Sequence, residues 1–141
     1  MARSAAREAA MQLIYEHMMG GSGEETLGGM IEFVPDRDDA RYIETVTEGV
    51  FAALHDVDRY IAAFAQDWAI DRLARVDLAI LRLAAYELLC MEDIPAAVTI
   101  NEAVELARKY STEQSGAFIN GVLGNLNRKL EREKDESRSG L

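Results

Sequence analysis

The chain has 141 residues, 49% of them hydrophobic, and a net charge of −10. That length suits one domain or two small subdomains, burying roughly 68–70% of the surface that the unfolded chain exposes. The lone cysteine, Cys90, excludes an internal disulfide and a cysteine metal cluster, and only two prolines, Pro35 and Pro95, interrupt the scope for long helices.

The first helix is expected from about Ser4 to Met19, with Ala10, Met11, Ile14 and Met18 as its apolar stripe. Arg7, Glu8 and Glu16 interrupt any apolar leader there, so no signal peptide is expected. The sequence GGSG at Gly20–Gly23 ends this helix. Leu27, Met30, Ile31 and Val34 suggest a short second helix, which Gly28 and Gly29 weaken. Asp36 is placed to cap a third, with Ile43, Val46, Val50 and Leu54 inward. Asp56 restarts a fourth, with Val57, Ile61, Phe64 and Trp68 inward.

Asp71 is expected to open a fifth helix. Leu73, Val76, Ile80, Leu83 and Ala84 cover one face of it, and Leu78, Leu81, Ala85 and Leu89 the other. A helix apolar on both sides is the centre of a bundle or joins two bundles. Its run LAILRLAAYELLCM is too short and, with Arg82 and Glu87, too charged to span a bilayer; these two residues are expected to satisfy each other or helix ends. Cys90, in the same apolar run, reads as a buried inert thiol. Thr99 and Glu102 read as a capping box before a sixth helix, Ile100 to Lys109, and Ser111 and Gln114 as another before a seventh that ends near Leu130. The polar tail, residues 131–141, is expected to be disordered. The fold class is therefore all-α, about seven helices. Seams are expected at Gly20–Gly23 and near Trp68–Asp71.

The acidity is concentrated. Residues 24–67 carry eleven acids against three arginines, whereas residues 1–23 are neutral and residues 68–130 carry only one net negative charge. Such a segment repels nucleic acid and suits a basic partner. No catalytic or metal-binding constellation stands out: His17 and His55 are far apart, and no HExxH, Walker A or GxGxxG pattern occurs. No enzyme activity, cofactor or metal is expected, and the setting is a reducing cytoplasm.

Two features point elsewhere. With Ile14 at the centre of the first helix's apolar face, a step of about 100° per residue puts Arg3 and Arg7 within about 20° of that centre. Both lie in the first turns, where the helix dipole disfavours cations. Two readings are open: they await an external anion such as phosphate, which arginine binds bidentately, or they snorkel or pair with surface acids. In STEQSGAFINGVL, Ser111 to Leu123, Phe118 lies about 100° from the inward Ile119, beside the small Ser115, Gly116 and Ala117. Its ring either covers the core sideways or offers a face for stacking.

The blocks ARSAAREAAMQLIYEHM, DRLARVDLAILRLAAYELL and DIPAAVTINEAVELARKYSTEQSGAFINGVL resemble the NusB family of bacterial transcription antitermination factors across residues 2–130. The resemblance implies two three-helix subdomains sharing a bundle, about residues 1–68 and 69–130, and no enzyme activity. It implies binding to single-stranded boxA RNA of ribosomal RNA operons together with the ribosomal small-subunit protein NusE, within an RNA polymerase elongation complex holding other Nus factors. By position it carries RNA contacts onto Arg3, Arg7, Arg75, Lys109, Tyr110, Gln114 and the stacking Phe118. Only Arg3 and Arg7 remain of the family's arginine-rich start. The family includes homodimers, and the alternative reading is a protein-interaction module or homodimer with little intrinsic RNA binding.

Overall fold

Few helix breakers and apolar residues at helical spacing dictate helices throughout, and the computed structural model of the chain shows them. It describes residues 3–21, 35–65 and 69–138. These form six α-helices and one 3-10 turn, with no strand among the described residues. They are α1 (Arg3–Met18), α2 (Arg37–Ala52), α3 (Leu54–Phe64), the 3-10 turn Ile70–Arg72, α4 (Arg75–Cys90), α5 (Ala96–Tyr110) and α6 (Glu113–Arg138). The short helix expected over Leu27–Val34 and the inward Trp68 lie outside the described residues.

Helix α4 is the axis of the bundle. Leu78, Ile80, Leu81 and Leu83 on its two apolar faces are all buried, and it packs against each of the other five helices. Ile14 of α1, Val46 and Val50 of α2, Val57 and Ile61 of α3, and Ile119, Leu123 and Leu126 of α6 complete the core. Arg82 and Glu87 do not pair. Five residues apart, they sit about 140° apart around the helix. Arg82 forks onto Asp58 of α3 at 2.9 Å, and Glu87 turns into the core.

The helix starts separate local from tertiary control. Asp36 caps α2 as expected, its Oδ1 accepting from the Asp39 N–H at 2.8 Å. Asp56 does not cap α3; Ala53 holds that place and Asp56 lies in the first turn. Asp71 opens no helix; it lies inside the 3-10 turn, and α4 begins at Arg75. Helix α5 begins at Ala96, directly after Pro95, whose fixed φ of −60° suits a helix entry. Thr99 is thereby inside the helix, and its hydroxyl donates to Glu87 at 2.8 Å instead of capping.

Ser111 likewise terminates α5, its N–H reaching Ala107 O at 2.7 Å, while Thr112 Oγ1 accepts from the Ser115 N–H at 3.0 Å at the start of α6. Helix α6 continues beyond Leu130 to Arg138. Tyr60 donates to Glu133 at 3.1 Å, and Lys129 pairs with Glu133 one turn away at 3.4 Å, tying this polar stretch to α3 and to itself. Cys90 is exposed, not buried, because α4 ends on it. Partial burial and the Asp56 charge raise its thiol pKa.

Candidate nucleic-acid interface

The start of α4, the start of α6 and the 3-10 turn meet around an open cleft of about 240 Å³. Phe118 forms one wall. Its ring is half-buried against the core, so it both packs and presents an edge of apolar surface to the cleft. Gln114 lies one turn earlier and is exposed, and Thr112 and Ser115 complete that side. Small side chains there leave the space that a bulky residue would fill.

Asp77 closes the inner side. It lies in the first turn of α4, where the helix dipole favours an acid, and is only 7% exposed. Its Oδ2 accepts from Ser115 Oγ at 2.8 Å, which joins α4 to α6. Its Oδ1 is buried and has no hydrogen-bond partner among the described residues. A buried acceptor left unpaired costs roughly 1–3 kcal/mol. Arg72 is exposed at the opposite wall and is the only cation among the residues lining the cleft.

Arg75 stands beside the cleft but faces the backbone. Its Nη2 donates to Ile70 O and Leu73 O, both at 3.0 Å. It staples the 3-10 turn to the start of α4.

Lys109 and Tyr110, at the end of α5, meet α1. Lys109 Nζ lies 2.7 Å from Glu8 Oε1, and Tyr110 donates its hydroxyl to the same oxygen. Gln12 Nε2 donates to Tyr110 Oη at 2.8 Å. Burial disfavours the Glu8 carboxylate, but the Lys109 and Tyr110 hydrogen bonds outweigh it and hold its pKa below the ordinary carboxylate range. The Lys109 ammonium is pushed up by the same hydrogen bond. Tyr110 remains exposed, and Lys109 keeps part of its charge toward solvent.

The two N-terminal arginines part company. Arg3 is 38% exposed, lies with its guanidinium 4.5 Å over the Tyr42 ring and is 3.7 Å from Asp39. Arg7 is only 4% exposed. Its Nε and Nη2 donate to Glu87 at 2.9 and 3.0 Å, and its Nη1 to Glu102 at 3.3 Å. Burial opposes the guanidinium charge, yet the Glu87 hydrogen bond and charge raise its pKa. Glu87 also accepts from Tyr42 and Thr99, so one carboxylate ties four helices. Burial and the Glu87 charge push Tyr42 far up, which keeps its hydroxyl a donor.

Helix direction explains the separation. Ser4 meets Glu102 whereas Glu8 meets Lys109, so α1 and α5 run side by side in the same sense. Arg3 is therefore level with the middle of α5, about 10–12 Å of helical rise from Tyr110. The structure thus brings Phe118 and Gln114 into one cleft, sets Lys109 and Tyr110 at the adjoining end of α5, and leaves Arg3 against Tyr42 and Asp39 of α2. Arg7 and Arg75 point inward. Arg72 and Asp77 are cleft residues that the sequence reading passed over. Both lie near helix starts, where a charge usually reads as capping.

Among the described residues no group of three or more His, Cys, Asp or Glu is arranged to hold a metal ion, and no helix is long and apolar enough to cross a membrane.

The NusB family model matches residues 4–128. The transcription antitermination protein NusB of Acetivibrio thermocellus is 48% identical over 126 residues, covering 88% of this chain and 87% of that protein. The protein of the same name from Natranaerobius thermophilus is 39% identical over 137 residues, covering 94% and 99%. Among solved structures, T. maritima NusB superposes with a TM-score of 0.81 at 33% identity, over 91% of this chain and 92% of that one. A chain in the crystal structure of the antitermination factors NusB and NusE in complex with double-stranded RNA superposes with a TM-score of 0.78 at 25% identity, over 90% and 96%.

Proposed function

This chain belongs to the NusB family, and on that premise we propose that it is a transcription antitermination factor that binds boxA RNA together with NusE. The pair serves an RNA polymerase elongation complex with other Nus factors in the bacterial cytoplasm, supporting elongation through ribosomal RNA operons. The chain acts by binding, not by catalysis. We read residues up to about 68 and residues 69–130 as two three-helix subdomains that share the bundle around α4.

The observation that carries the reading is the cleft. A half-buried aromatic wall faces space left by small side chains, beside the Asp77 carboxyl group. An unstacked base offers a flat face for Phe118 and fits the space beside it. Single-stranded RNA supplies such a base, which a duplex keeps stacked and paired. Gln114 is read as a contact to the same nucleotide, Lys109 and Tyr110 as meeting the strand at the end of α5, and Arg3, over Tyr42 of α2, as meeting it further along α1. Arg7 supports the α1–α5 flank from within through Glu87 and Glu102.

Fluorescence anisotropy with labelled single-stranded boxA RNA tests this, with and without NusE. Phe118→Ala is expected to weaken RNA binding by about 1–3 kcal/mol while leaving NusE binding unchanged. Binding to NusE with no response to boxA would leave a protein-interaction module and overturn the RNA role.

A further inference from the structure

The RNA-binding role proposed above leaves one question at the cleft: which side chain meets the phosphate of the nucleotide stacked on Phe118. We propose that Arg72 does, and that Arg75 positions it without touching RNA. Sequence resemblance carries the contact onto Arg75; the geometry moves it three residues back.

Arg75 is tied to the backbone through one nitrogen. Its Nη2 donates to Ile70 O and Leu73 O, both at 3.0 Å, and the side chain is not among those lining the cleft. Arg72 is its complement. It is exposed, lines the cleft with Phe118 and Gln114, and has no ion pair or hydrogen bond with any described residue. The turn that carries it is anchored on both sides. Leu73 is 7% exposed, and Ile70 packs against the core. The Arg75 staple closes the same three-residue turn, so the backbone under Arg72 is held while its side chain has no partner among the described residues.

Charge makes this cation matter. The inner wall of the cleft carries the Asp77 carboxylate, and the chain as a whole carries −10. A phosphate there needs a local cation, and Arg72 is the one the described lining provides. Arginine presents a planar fork to phosphate oxygens, and it reads no base, so its contribution is independent of RNA sequence.

The test is the salt dependence of boxA binding by the full chain with NusE, for Arg72→Gln, Arg72→Lys, Arg75→Lys and the double variant Arg72→Gln/Arg75→Lys. Removing one single-strand phosphate contact lowers the magnitude of the log–log salt slope by about 0.7. The defect of Arg72→Gln is then roughly 2- to 3-fold larger at 50 mM than at 200 mM salt. Arg72→Lys should keep the slope. Arg75→Lys keeps its charge but loses the staple; it should weaken RNA binding when Arg72 is present and have no further effect in Arg72→Gln. NusE affinity, unchanged throughout, reports that the variants fold.

An unchanged slope in Arg72→Gln, with Phe118→Ala still defective, overturns the assignment and leaves the RNA role standing. A full additional loss from Arg75→Lys in the Arg72→Gln background overturns the positioning role. Absence of boxA binding by the natural chain with NusE overturns both the assignment and the RNA role beneath it.

Discussion

Glu87 sits at the centre of a buried polar cluster, accepting from Arg7, Tyr42 and Thr99 with 1% of its surface exposed. A carboxylate so buried is tolerable only while every donor is in place, because desolvation of either ion is costly and their attraction must offset it. Arg7→Ala strands that charge. It is expected to destabilise the fold by about 3–5 kcal/mol in urea denaturation. Any loss of RNA affinity should vanish once binding is referred to folded protein. A soluble, fully stable Arg7→Ala protein that binds NusE normally and boxA poorly would instead make Arg7 a direct RNA contact. Phe118 contrasts with Arg7 at the same scale. Its place at the rim of the stripe was legible from a 100° step, and the structure leaves it at that rim, half-buried beside a cleft.

At the scale of elements, the clasp between α1 and α5 depends on one acid. Glu8 holds Lys109 and Tyr110 together, and its pKa is lowered in the folded chain. A carboxylate depressed by folding contributes stability above its unfolded pKa and loses it as pH falls through the folded value. The clasp should therefore contribute fully at neutral pH and fade below the ordinary carboxylate range. Melting temperatures of the natural chain and Glu8→Gln should differ at pH 7 and converge in acid. A difference constant across that range would remove the clasp as a source of stability. The exposure of Lys109 limits the size of the effect. Element boundaries show the same dependence on context. Thr99 and Glu102 fit a capping box by spacing, but Pro95 sets the helix start four residues earlier, and Glu87 across the core claims the Thr99 hydroxyl.

For the whole molecule, the charge is the controlling quantity. At −10, with eleven acids against three arginines over residues 24–67, the free chain repels RNA at long range. A basic partner docked on that acidity reverses the local field and adds phosphate contacts. RNA affinity is expected to rise sharply with NusE and to fall as salt increases, since screening shortens to about 8 Å at physiological ionic strength. Titrating boxA at several salt concentrations, with and without NusE, measures both effects. Equal affinity in the two series would remove the partner's electrostatic role.

The all-helical class, the two-faced central helix and the aromatic at the rim were determined by the sequence alone, because helical period and the scarcity of breakers are local properties. The block from Asp71 to Leu123 was also enough to carry the family resemblance. Tertiary structure decided which cations face outward. Arg7 looked available because its angle on α1 is right for a surface beyond the core, yet Glu87, eighty residues away, draws it inward. Arg75 and Arg72 differ by less than a helical turn in sequence, and only the path of the backbone through Ile70–Leu73 ties one to carbonyls and leaves the other without a partner among the described residues. A charged side chain takes the partner that burial and distance make cheapest, and that partner is set by how distant segments pack.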